Sequence, residues 1–319
     1  MEYRLLGRTG LRVSALGFGA SPLGDEFRKT KPDERQRAVD AALDYGINFF
    51  DVSPYYGRTL AEERLGEALR GRRQKAILAT KCGRYDTNHF DFSARRVTAS
   101  VEESLRRLRT DRIDLMQVHD IEFGDLKLVV EETIPALRRI QETGKIGFVG
   151  ITGYPLRMMT AVCEAAPVDT FLSYCRYNLM ITDMDDLLTP YAWRRGIGLI
   201  NASPLHMGLL TEQGPPDWHP APEKIRKAAR EVVAVCRRRG LQPADVALRF
   251  CLNHPYVATT LVGMSKPEHV ERNIRGMAAR IAPEVYEEIQ QIVAPVANTT
   301  WSSGRPENND HDFAAPEQS

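Results

Sequence analysis

Several features that define common protein classes are missing from this sequence. Its five cysteines are scattered, odd in number and never spaced as a C-x-x-C pair, which argues against a disulfide framework or a zinc site and for a reducing compartment. No apolar run approaches the roughly 20 residues that a membrane span needs, and Met1-Glu2-Tyr3-Arg4 does not begin a secretion signal. We therefore expect a cytoplasmic protein with no metal site and no membrane partner.

An excess of charge of either sign is also missing. The 43 basic residues are balanced by 42 acidic ones, which leaves a net charge of +1. A nucleic-acid-binding protein usually carries a basic surface, and this balance gives no sign of one. A small molecule is therefore the expected partner, and the oligomeric state stays open.

A glycine-rich dinucleotide fingerprint does not follow the first predicted strand, because Gly17-Phe18-Gly19-Ala20-Ser21-Pro22 does not continue as G-x-G-x-x-G. Instead, eight short apolar runs alternate with segments of helical spacing after a predicted hairpin around Arg8-Thr9-Gly10. This alternation predicts a single α/β (β/α)8 TIM barrel with an N-terminal β-hairpin, although alternation alone also allows an open doubly wound sheet. The predicted strands are Ala15 to Gly19, Ile47 to Asp51, Ala76 to Lys81, Ile113 to His119, Ile146 to Thr152, Thr170 to Tyr174, Ile197 to Ala202 and Val257 to Val262.

Two segments lack this alternation. Residues 203–222 are rich in proline and without sustained periodicity, which predicts a long binding loop or lid; Leu209, Leu210 and Trp218 favour an ordered one. The polar residues after about position 300 predict a loosely ordered C-terminal extension, so we expect a barrel over 1–300 and a tail over 301–319. Pro135 should kink or restart the helix that contains it.

Polar residues close three successive predicted strands. Asp51, Lys81 and His119 stand at the strand ends, and Tyr56 follows Asp51 by five positions. The carboxyl ends of barrel strands form the active site of this fold, so the four should meet there. A nearby lysine should lower the tyrosine pKa from about 10, Asp51 should hold that lysine, and His119 should hydrogen-bond the reacting oxygen. Tyr55 could exchange roles with Tyr56.

The same four residues, in this order, resemble the catalytic tetrad of the aldo-keto reductase superfamily. The resemblance extends over residues 1 to about 300 and includes Leu6-Gly7-Arg8-Thr9-Gly10-Leu11-Arg12-Val13-Ser14 and Gly144-Lys145-Ile146-Gly147-Phe148-Val149-Gly150-Ile151. It implies an NAD(P)-dependent oxidoreductase built on a barrel.

Further stretches resemble the sugar 1-dehydrogenases of that superfamily, which act on L-galactose, L-fucose and D-threo-aldoses. They include Gly19-Ala20-Ser21-Pro22-Leu23-Gly24, Lys81-Cys82-Gly83-Arg84-Tyr85 and His119-Asp120-Ile121-Glu122-Phe123-Gly124, together with Trp301 and Gly304. The implied reaction oxidises the C1 hemiacetal of L-galactose or a similar aldose to its lactone. Two alternatives stay open: an NADPH-dependent reductase of aldehydes or oxidised sugars, and a cofactor-binding regulatory subunit.

The resemblance also implies cofactor contacts late in the chain. Thr152 and Gly153 stand where the superfamily usually has serine and asparagine for the carboxamide, and Tyr174 stands where it usually has glutamine. NADP-using relatives often place a lysine and an arginine where this chain has Gly263 and His269, which favours NAD, although nearby cations could still recruit a phosphate. The remaining expected contacts are Ser203, Leu205, Gly208 and Leu210 for the pyrophosphate, and Ser265, Lys266, Arg272 and Asn273 for the adenosine end.

Hydroxyl groups of the substrate need polar partners as well. A site that hydrogen-bonds a hydroxyl rejects analogues that lack it far more strongly than an apolar pocket does. The expected partners are Tyr56, Arg84, Tyr85, His119, Asp120 and His206.

Overall fold

Eight parallel strands close into a barrel, which confirms the predicted (β/α)8 fold. The structure, a computed structural model, describes residues 1–26, 29–311 and 313. The strands of the barrel are β3 (Leu16–Gly19), β4 (Phe49–Asp51), β5 (Ile77–Cys82), β8 (Ile113–Val118), β9 (Ile146–Gly153), β10 (Thr170–Tyr174), β11 (Gly198–Ala202) and β12 (Val257–Gly263). Their order around the barrel is β10-β11-β12-β3-β4-β5-β8-β9.

The predicted N-terminal hairpin is present and closes the end of the barrel opposite the predicted active site. Its antiparallel strands are β1 (Tyr3–Leu5) and β2 (Arg12–Ser14). Leu6 and Val13 are fully buried among the side chains that fill the barrel interior, and each such burial stabilises the fold by roughly 1.5–3 kcal/mol. Gly7 is required at its position because a Cβ there would lie 2.3 Å from the backbone nitrogen of Gly198.

The longer helices surround the barrel, and each buries one face. In α3 (Ala94–Arg107), for example, Val97, Val101 and Leu105 are buried at helical spacing, and Ser93 caps the N-terminus by accepting from the Arg96 N–H. The helices are α1 (Pro32–Asp44), α2 (Leu60–Ala68), α3 (Ala94–Arg107), α4 (Leu126–Leu128), α5 (Ile134–Glu142), α6 (Leu156–Ala165), α7 (Met184–Arg195), α8 (Glu223–Arg238), α9 (Pro243–Leu252), α10 (Pro267–Met277) and α11 (Pro283–Val293).

Pro135 lies in the first turn of α5, as expected for a helix that restarts. A π-helical turn over Val129–Thr133 joins α4 to α5, and this wider turn accommodates the proline without a break in the chain. A second small sheet of β6 (Arg84–Asp86) and β7 (His89–Phe90) projects after β5.

The long loop of residues 203–222 is ordered, and two of the three apolar residues that predicted this order are buried. Leu209 and Leu210 are buried, whereas Trp218 is 63% exposed, with its ring lying over the buried His219. A short 3-10 helix, His206–Gly208, forms within the loop.

Residues 301–310 lie against the barrel, more closely held than their polar composition predicts. The Asp310 carboxylate accepts hydrogen bonds of 2.8 Å from the N–H groups of Leu156 and Arg157 at the start of α6. Asp310, far along the chain, therefore caps α6. Trp301 in the same segment stacks on Tyr154 with ring centroids 4.5 Å apart. Positions 312 and 314–319 of the expected tail lie outside the described residues.

All five cysteines are buried and free. Among the described residues, no cluster of histidine, cysteine and carboxylate side chains is arranged to hold a metal ion, and none of the described helices is long and apolar enough to cross a membrane.

Candidate active site

The four polar residues from neighbouring strand ends meet at one edge of the barrel. Asp51 ends β4, Lys81 is the fifth residue of β5, and His119 directly follows β8; these three strands are adjacent in the barrel. A turn after Asp51 brings Tyr56 back over them, with its ring centroid 4.9 Å from the Lys81 Nζ and 5.7 Å from the His119 ring. We call this group the tetrad and this edge the barrel mouth.

The Lys81 ammonium is almost fully buried and donates to two oxygen partners. It donates to the Asp51 carboxylate and to the carbonyl of Val52, at 2.9 Å for the latter. Gln117, which points into the barrel from β8, donates to the other oxygen of Asp51 at 2.9 Å. Burial alone would lower the pKa of Lys81, but Asp51 and Tyr56 outweigh burial and raise it, so the lysine stays charged.

The phenol of Tyr56 differs from expectation in its acidity. Lys81 does favour the phenolate, as the sequence predicts, but burial acts more strongly and raises the pKa of Tyr56 to about 12, with a further contribution from Asp51. The expected net lowering is therefore wrong for the protein alone. Tyr56 is a neutral proton donor near pH 7.

His119 is buried and neutral. Desolvation lowers its pKa to about 3, although Asp120 acts in the opposite direction. Its Nδ1 lies 3.0 Å from the Oγ of Ser53, and its Nε2 lies 3.6 Å from the carboxylate of Asp120. The imidazole can therefore serve as a hydrogen-bond donor at the mouth without carrying charge.

Next to His119, a chain of polar side chains lines the mouth. Asp120 accepts from Arg84 and, at 3.1 Å, from the Thr152 hydroxyl, which in turn accepts from the Asp120 N–H at 2.8 Å. The Arg84 guanidinium lies 4.0 Å above the Tyr55 ring. Burial opposes ionisation of Asp120, yet the Arg84 guanidinium and the Thr152 hydroxyl hold its pKa below the usual range. Arg84 and Asp120 are thus beside the tetrad, as expected of substrate partners.

Two other predicted substrate partners face elsewhere. Tyr85 lies under the guanidinium of Arg96 from α3, 3.9 Å from the ring centroid, and its hydroxyl accepts from the Gly83 N–H. His206 is buried, with its Nδ1 3.1 Å from the Asn178 side chain. None of its hydrogen bonds or ring contacts, within the described part of the chain, reaches the tetrad.

The loop after β11 carries the residues expected at the pyrophosphate. Four residues of this loop have left-handed backbones: Ser203, His206, Met207 and Gly208, with φ values of 59°, 50°, 49° and 101°. The loop therefore turns tightly, and the N–H groups of His206, Gly208 and Leu209 bond carbonyls of the same loop. Leu205 and Leu210 belong to the same loop, where the Leu210 N–H bonds the Leu205 carbonyl.

Asn273 is the best fit to a cofactor contact at the adenosine end. It is 5% exposed on α10, and its Nδ2 has no partner among the described residues, so a ligand that accepts a hydrogen bond from Nδ2 would satisfy this donor.

The other residues expected at the adenosine end differ in exposure and pairing. Ser265 is buried just before α10, whereas Arg272 is exposed on it. Lys266 is ion-paired with Glu34 of α1 at 3.4 Å. Gly263 is exposed, and the ring Nδ1 of His269 accepts from the Ser265 N–H.

The residues expected near the carboxamide already have protein partners. Thr152 bonds Asp120, and the Tyr174 hydroxyl donates to Glu122 at 3.3 Å. A Cβ at Gly153 would lie 2.5 Å from the Met158 Cε and 3.2 Å from the unpaired Oε2 of the same Glu122, so the glycine leaves room for both side chains. Burial and Asp120 raise the pKa of Glu122 to about 8.

Glu122 also anchors the C-terminal segment of residues 301–310. Its carboxyl accepts from Ser303 at 3.1 Å, and its backbone carbonyl accepts from the Arg305 N–H at 2.9 Å and from Asn308 at 2.9 Å. Gly304 has a left-handed φ of 74°, and a Cβ there would lie 2.3 Å from that same carbonyl oxygen. The C-terminal segment is therefore fixed to the loop that directly follows His119.

Comparison with known proteins identifies the family. The sequence profile of the Aldo/keto reductase family matches residues 15–294. The chain belongs to this family and is an oxidoreductase of the aldo/keto reductase type.

Individual relatives agree with this assignment. L-galactose dehydrogenase from Arabidopsis thaliana is 47% identical over 318 residues, which cover 97% of this chain and 99% of that protein. D-threo-aldose 1-dehydrogenase from a Pseudomonas species is 29% identical, with 88% and 94% covered. The holo form of an aldo-keto reductase from Bacillus halodurans superposes with a TM-score of 0.78 at 28% identity and covers 94% of this chain and 98% of its own.

Three residues that the sequence analysis did not select complete the site: Ser53, Gln117 and Glu122. Gln117 carried a usable signal, since a glutamine inside an apolar strand usually has a specific partner. The others gave none, because Ser53 reads as a turn residue and Glu122 as a loop charge.

Proposed function

We propose that this protein is an NAD(P)-dependent aldose 1-dehydrogenase that oxidises the C1 hemiacetal of L-galactose, or of a sugar of the L-fucose type, to the lactone. The observation that carries the proposal is the assembled tetrad, in which a buried, charged Lys81 lies beside the Tyr56 ring. The 47% identity to L-galactose dehydrogenase supports the choice of substrate.

Proton transfer at C1 falls to Tyr56. A bound nicotinamide ring supplies the hydride acceptor. In this direction the base is the phenolate of Tyr56: the phenol first loses its own proton to solvent, Lys81 stabilises the negative charge on the phenol oxygen, and the phenolate then takes the proton of the C1 hydroxyl as the carbon–hydrogen bond breaks. Asp51 and Gln117 keep the lysine charged and fixed in place.

His119 orients the reacting oxygen. Because burial keeps its imidazole neutral, it donates a hydrogen bond without bringing a second full charge beside Lys81. A protonated histidine at this position would compete with the substrate for Asp120.

Recognition of the sugar hydroxyls rests on the polar chain beside the tetrad. Arg84 and Asp120 offer a charged donor and a charged acceptor within the mouth, and their contact with Thr152 holds them in place. Tyr85 and His206 have weaker support in this role, because their contacts lead away from the tetrad. An aldose that lacks the hydroxyl facing Asp120 would leave a buried charge poorly solvated and bind weakly.

NAD is the proposed cofactor in preference to NADP. Binding of a 2′-phosphate requires an available cation. Gly263 has no side chain, and the nearest lysine, Lys266, is already paired with Glu34. Thr152, Tyr174, Ser203, Gly208, His269 and Asn273 remain proposed contacts of the same cofactor.

The reverse reaction is a second candidate, favoured by one observation. The pKa of Tyr56 is about 12, so the phenol is fully protonated near pH 7 and ready to donate a proton to a carbonyl oxygen. A reductase of aldehydes or oxidised sugars would use Tyr56 in this way, with the other three residues unchanged in role.

Initial rates with NAD and NADP in parallel on a panel of aldoses, and with NADH and NADPH in parallel on a panel of small aldehydes, test these assignments. The proposal predicts the highest kcat/KM with NAD and L-galactose or L-fucose. Higher values for aldehyde reduction with NADPH would favour the second candidate. Tight cofactor binding without turnover on either panel would instead support a regulatory role, for which the intact tetrad gives no reason.

A further inference from the structure

Ser53 contacts His119 at Nδ1, whereas Asp120 lies near the other ring nitrogen, Nε2. The Ser53 side chain is fully buried in the turn between Asp51 and Tyr56, and its Oγ lies 3.0 Å from the His119 Nδ1. This contact joins the turn that carries Tyr56 to the strand end that carries His119. It can therefore influence the state of the imidazole.

The position of the Ser53 hydroxyl proton determines whether Ser53 or His119 donates in this hydrogen bond. The Ser53 Oγ accepts from the Tyr55 N–H at 3.1 Å. Among the described residues, the His119 Nδ1 is the one acceptor that the structure records for the Ser53 proton. Since a buried hydroxyl proton without an acceptor is unfavourable, Ser53 donates and Nδ1 accepts. A neutral imidazole with an accepting Nδ1 carries its proton on Nε2.

The opposite side of the ring favours the same tautomer. The Asp120 carboxylate lies 3.6 Å from Nε2. A lone pair on Nε2 would face that negative charge, whereas an N–H is attracted to it. The distance is too long for a hydrogen bond, so the Nε2–H remains free to donate to another oxygen.

We propose that Ser53 is a positioning residue that holds His119 as the Nε2–H tautomer, so that the neutral imidazole donates to the reacting oxygen at C1. The proposal rests on the function above for the identity of that oxygen. The tautomer itself does not depend on the substrate. The two can therefore fail separately.

Nitrogen-15 NMR of the full-length protein labelled at histidine measures the tautomer directly, without substrate. The His119 signals are identified by their loss in His119→Gln. We expect an Nε2–H tautomer with a hydrogen-bonded Nδ1 acceptor in the wild type, and an Nδ1 signal at the position of an unbonded nitrogen in Ser53→Ala. An Nδ1–H tautomer in the wild type would overturn the proposal, whatever the variants do.

Kinetics separate a positioning role from a purely structural one. In Ser53→Ala we expect kcat/KM for the aldose to fall about 5- to 20-fold, with the dissociation constant for NAD unchanged. Ser53→Thr keeps the hydroxyl and should keep the wild-type tautomer and most of the activity. Ser303→Ala is the matched control, because it removes a serine hydroxyl from the same mouth without contact to His119, and should leave the His119 signals unchanged. Wild-type kcat/KM together with an unchanged Nδ1 signal in Ser53→Ala would contradict the proposal.

Discussion

Buried polar groups have more partners within the protein on the early strands than on the late strands. The early strands are β4, β5 and β8, and the late strands are β10, β11 and β12. In the early strands, polar side chains bond one another: Lys81 with Asp51, and Asp51 with Gln117. Of the 14 buried side-chain polar atoms without a partner in the described part of the chain, five lie on β10, β11 or β12, among them Asn201 Oδ1, and one, Gln117 Oε1, lies on an early strand. Asn178 Nδ2 and Asn273 Nδ2, in the segments that follow β10 and β12, are unpaired as well.

This difference indicates two kinds of preparation for one reaction. A catalytic group must hold its geometry before the substrate arrives, so its polar contacts lie within the protein. A binding surface can leave donors and acceptors for the ligand to satisfy, at a cost of about 1–3 kcal/mol for each unsatisfied group until it binds. Substitutions in the early strands should therefore reduce catalysis or stability, and those in the late strands should reduce cofactor affinity.

The largest expected effect is at Tyr56. Tyr56→Phe keeps the ring beside Lys81 and His119 but removes the hydroxyl that exchanges the proton with the substrate. The kcat should therefore fall about 100- to 10,000-fold, with the NAD dissociation constant unchanged. Tyr55→Phe is the matched control, since its ring would still lie beneath Arg84. Initial rates measure both. A large loss in Tyr55→Phe with activity retained in Tyr56→Phe would exchange the two roles.

The next largest effect is on stability, at Lys81. Lys81→Met leaves the Asp51 carboxylate buried with Gln117 as its side-chain partner, which should lower the free energy of unfolding by roughly 3–5 kcal/mol. Urea unfolding measures this change. Lys81→Met combined with Asp51→Asn should recover most of the stability and none of the activity. Equal losses of stability in the single and double variants would mean that the pair is not energetically coupled.

Asn273, on the helix that follows β12, tests the late part of the barrel. Asn273→Ala removes a buried Nδ2 that has no described protein partner, so the free protein should lose little stability through that atom. Affinity for NAD should fall about tenfold, the equivalent of one ligand hydrogen bond. Quenching of intrinsic fluorescence by NAD gives the dissociation constant, and thermal unfolding gives the stability. If stability fell and affinity did not, the contrast between early and late strands would be lost.

The early strands were also the easier part to predict from sequence. Asp51, Lys81 and His119 each end an apolar run, and the geometry of a parallel barrel brings such ends together whatever the loops do. The eight strands were predicted for the same reason: short apolar runs separated by helical spacing allow few other folds.

Contacts between distant segments could not be predicted in this way. Asp310 caps α6, and Ser303 bonds Glu122, but a polar segment gives no pattern that identifies its partner. The net pKa of Tyr56 was missed for a related reason. The lysine is visible in the sequence, whereas the burial that outweighs it depends on all the elements around the mouth.

The contact between Glu122 and the C-terminal segment should make the stability of the protein depend on pH. The Glu122 pKa of about 8 lies above its usual value of 4.5, so the folded state favours the protonated acid; the resulting stability is full below the usual pKa and is lost as pH rises through about 8. The melting temperature of the wild type should therefore fall between pH 6 and pH 9 by a few degrees more than that of Glu122→Gln. A parallel pH dependence of the two proteins would exclude Glu122 as the titrating group. Trp301 fluorescence should report release of the C-terminal segment over the same range.

The smallest expected effect concerns the choice of cofactor at Glu34. Its carboxylate is 3.4 Å from the Lys266 ammonium, at the start of α10 where a 2′-phosphate would bind. Glu34→Gln frees that ammonium, so affinity for NADP should rise several-fold, more at low salt than at high salt, while affinity for NAD stays constant. Asp33→Asn on the same helix is the matched control, because Asp33 pairs with Arg37 and not with Lys266. Equal changes for NAD and NADP in Glu34→Gln would mean that Lys266 does not select between the two cofactors, and that the missing side chain at Gly263 accounts for the preference.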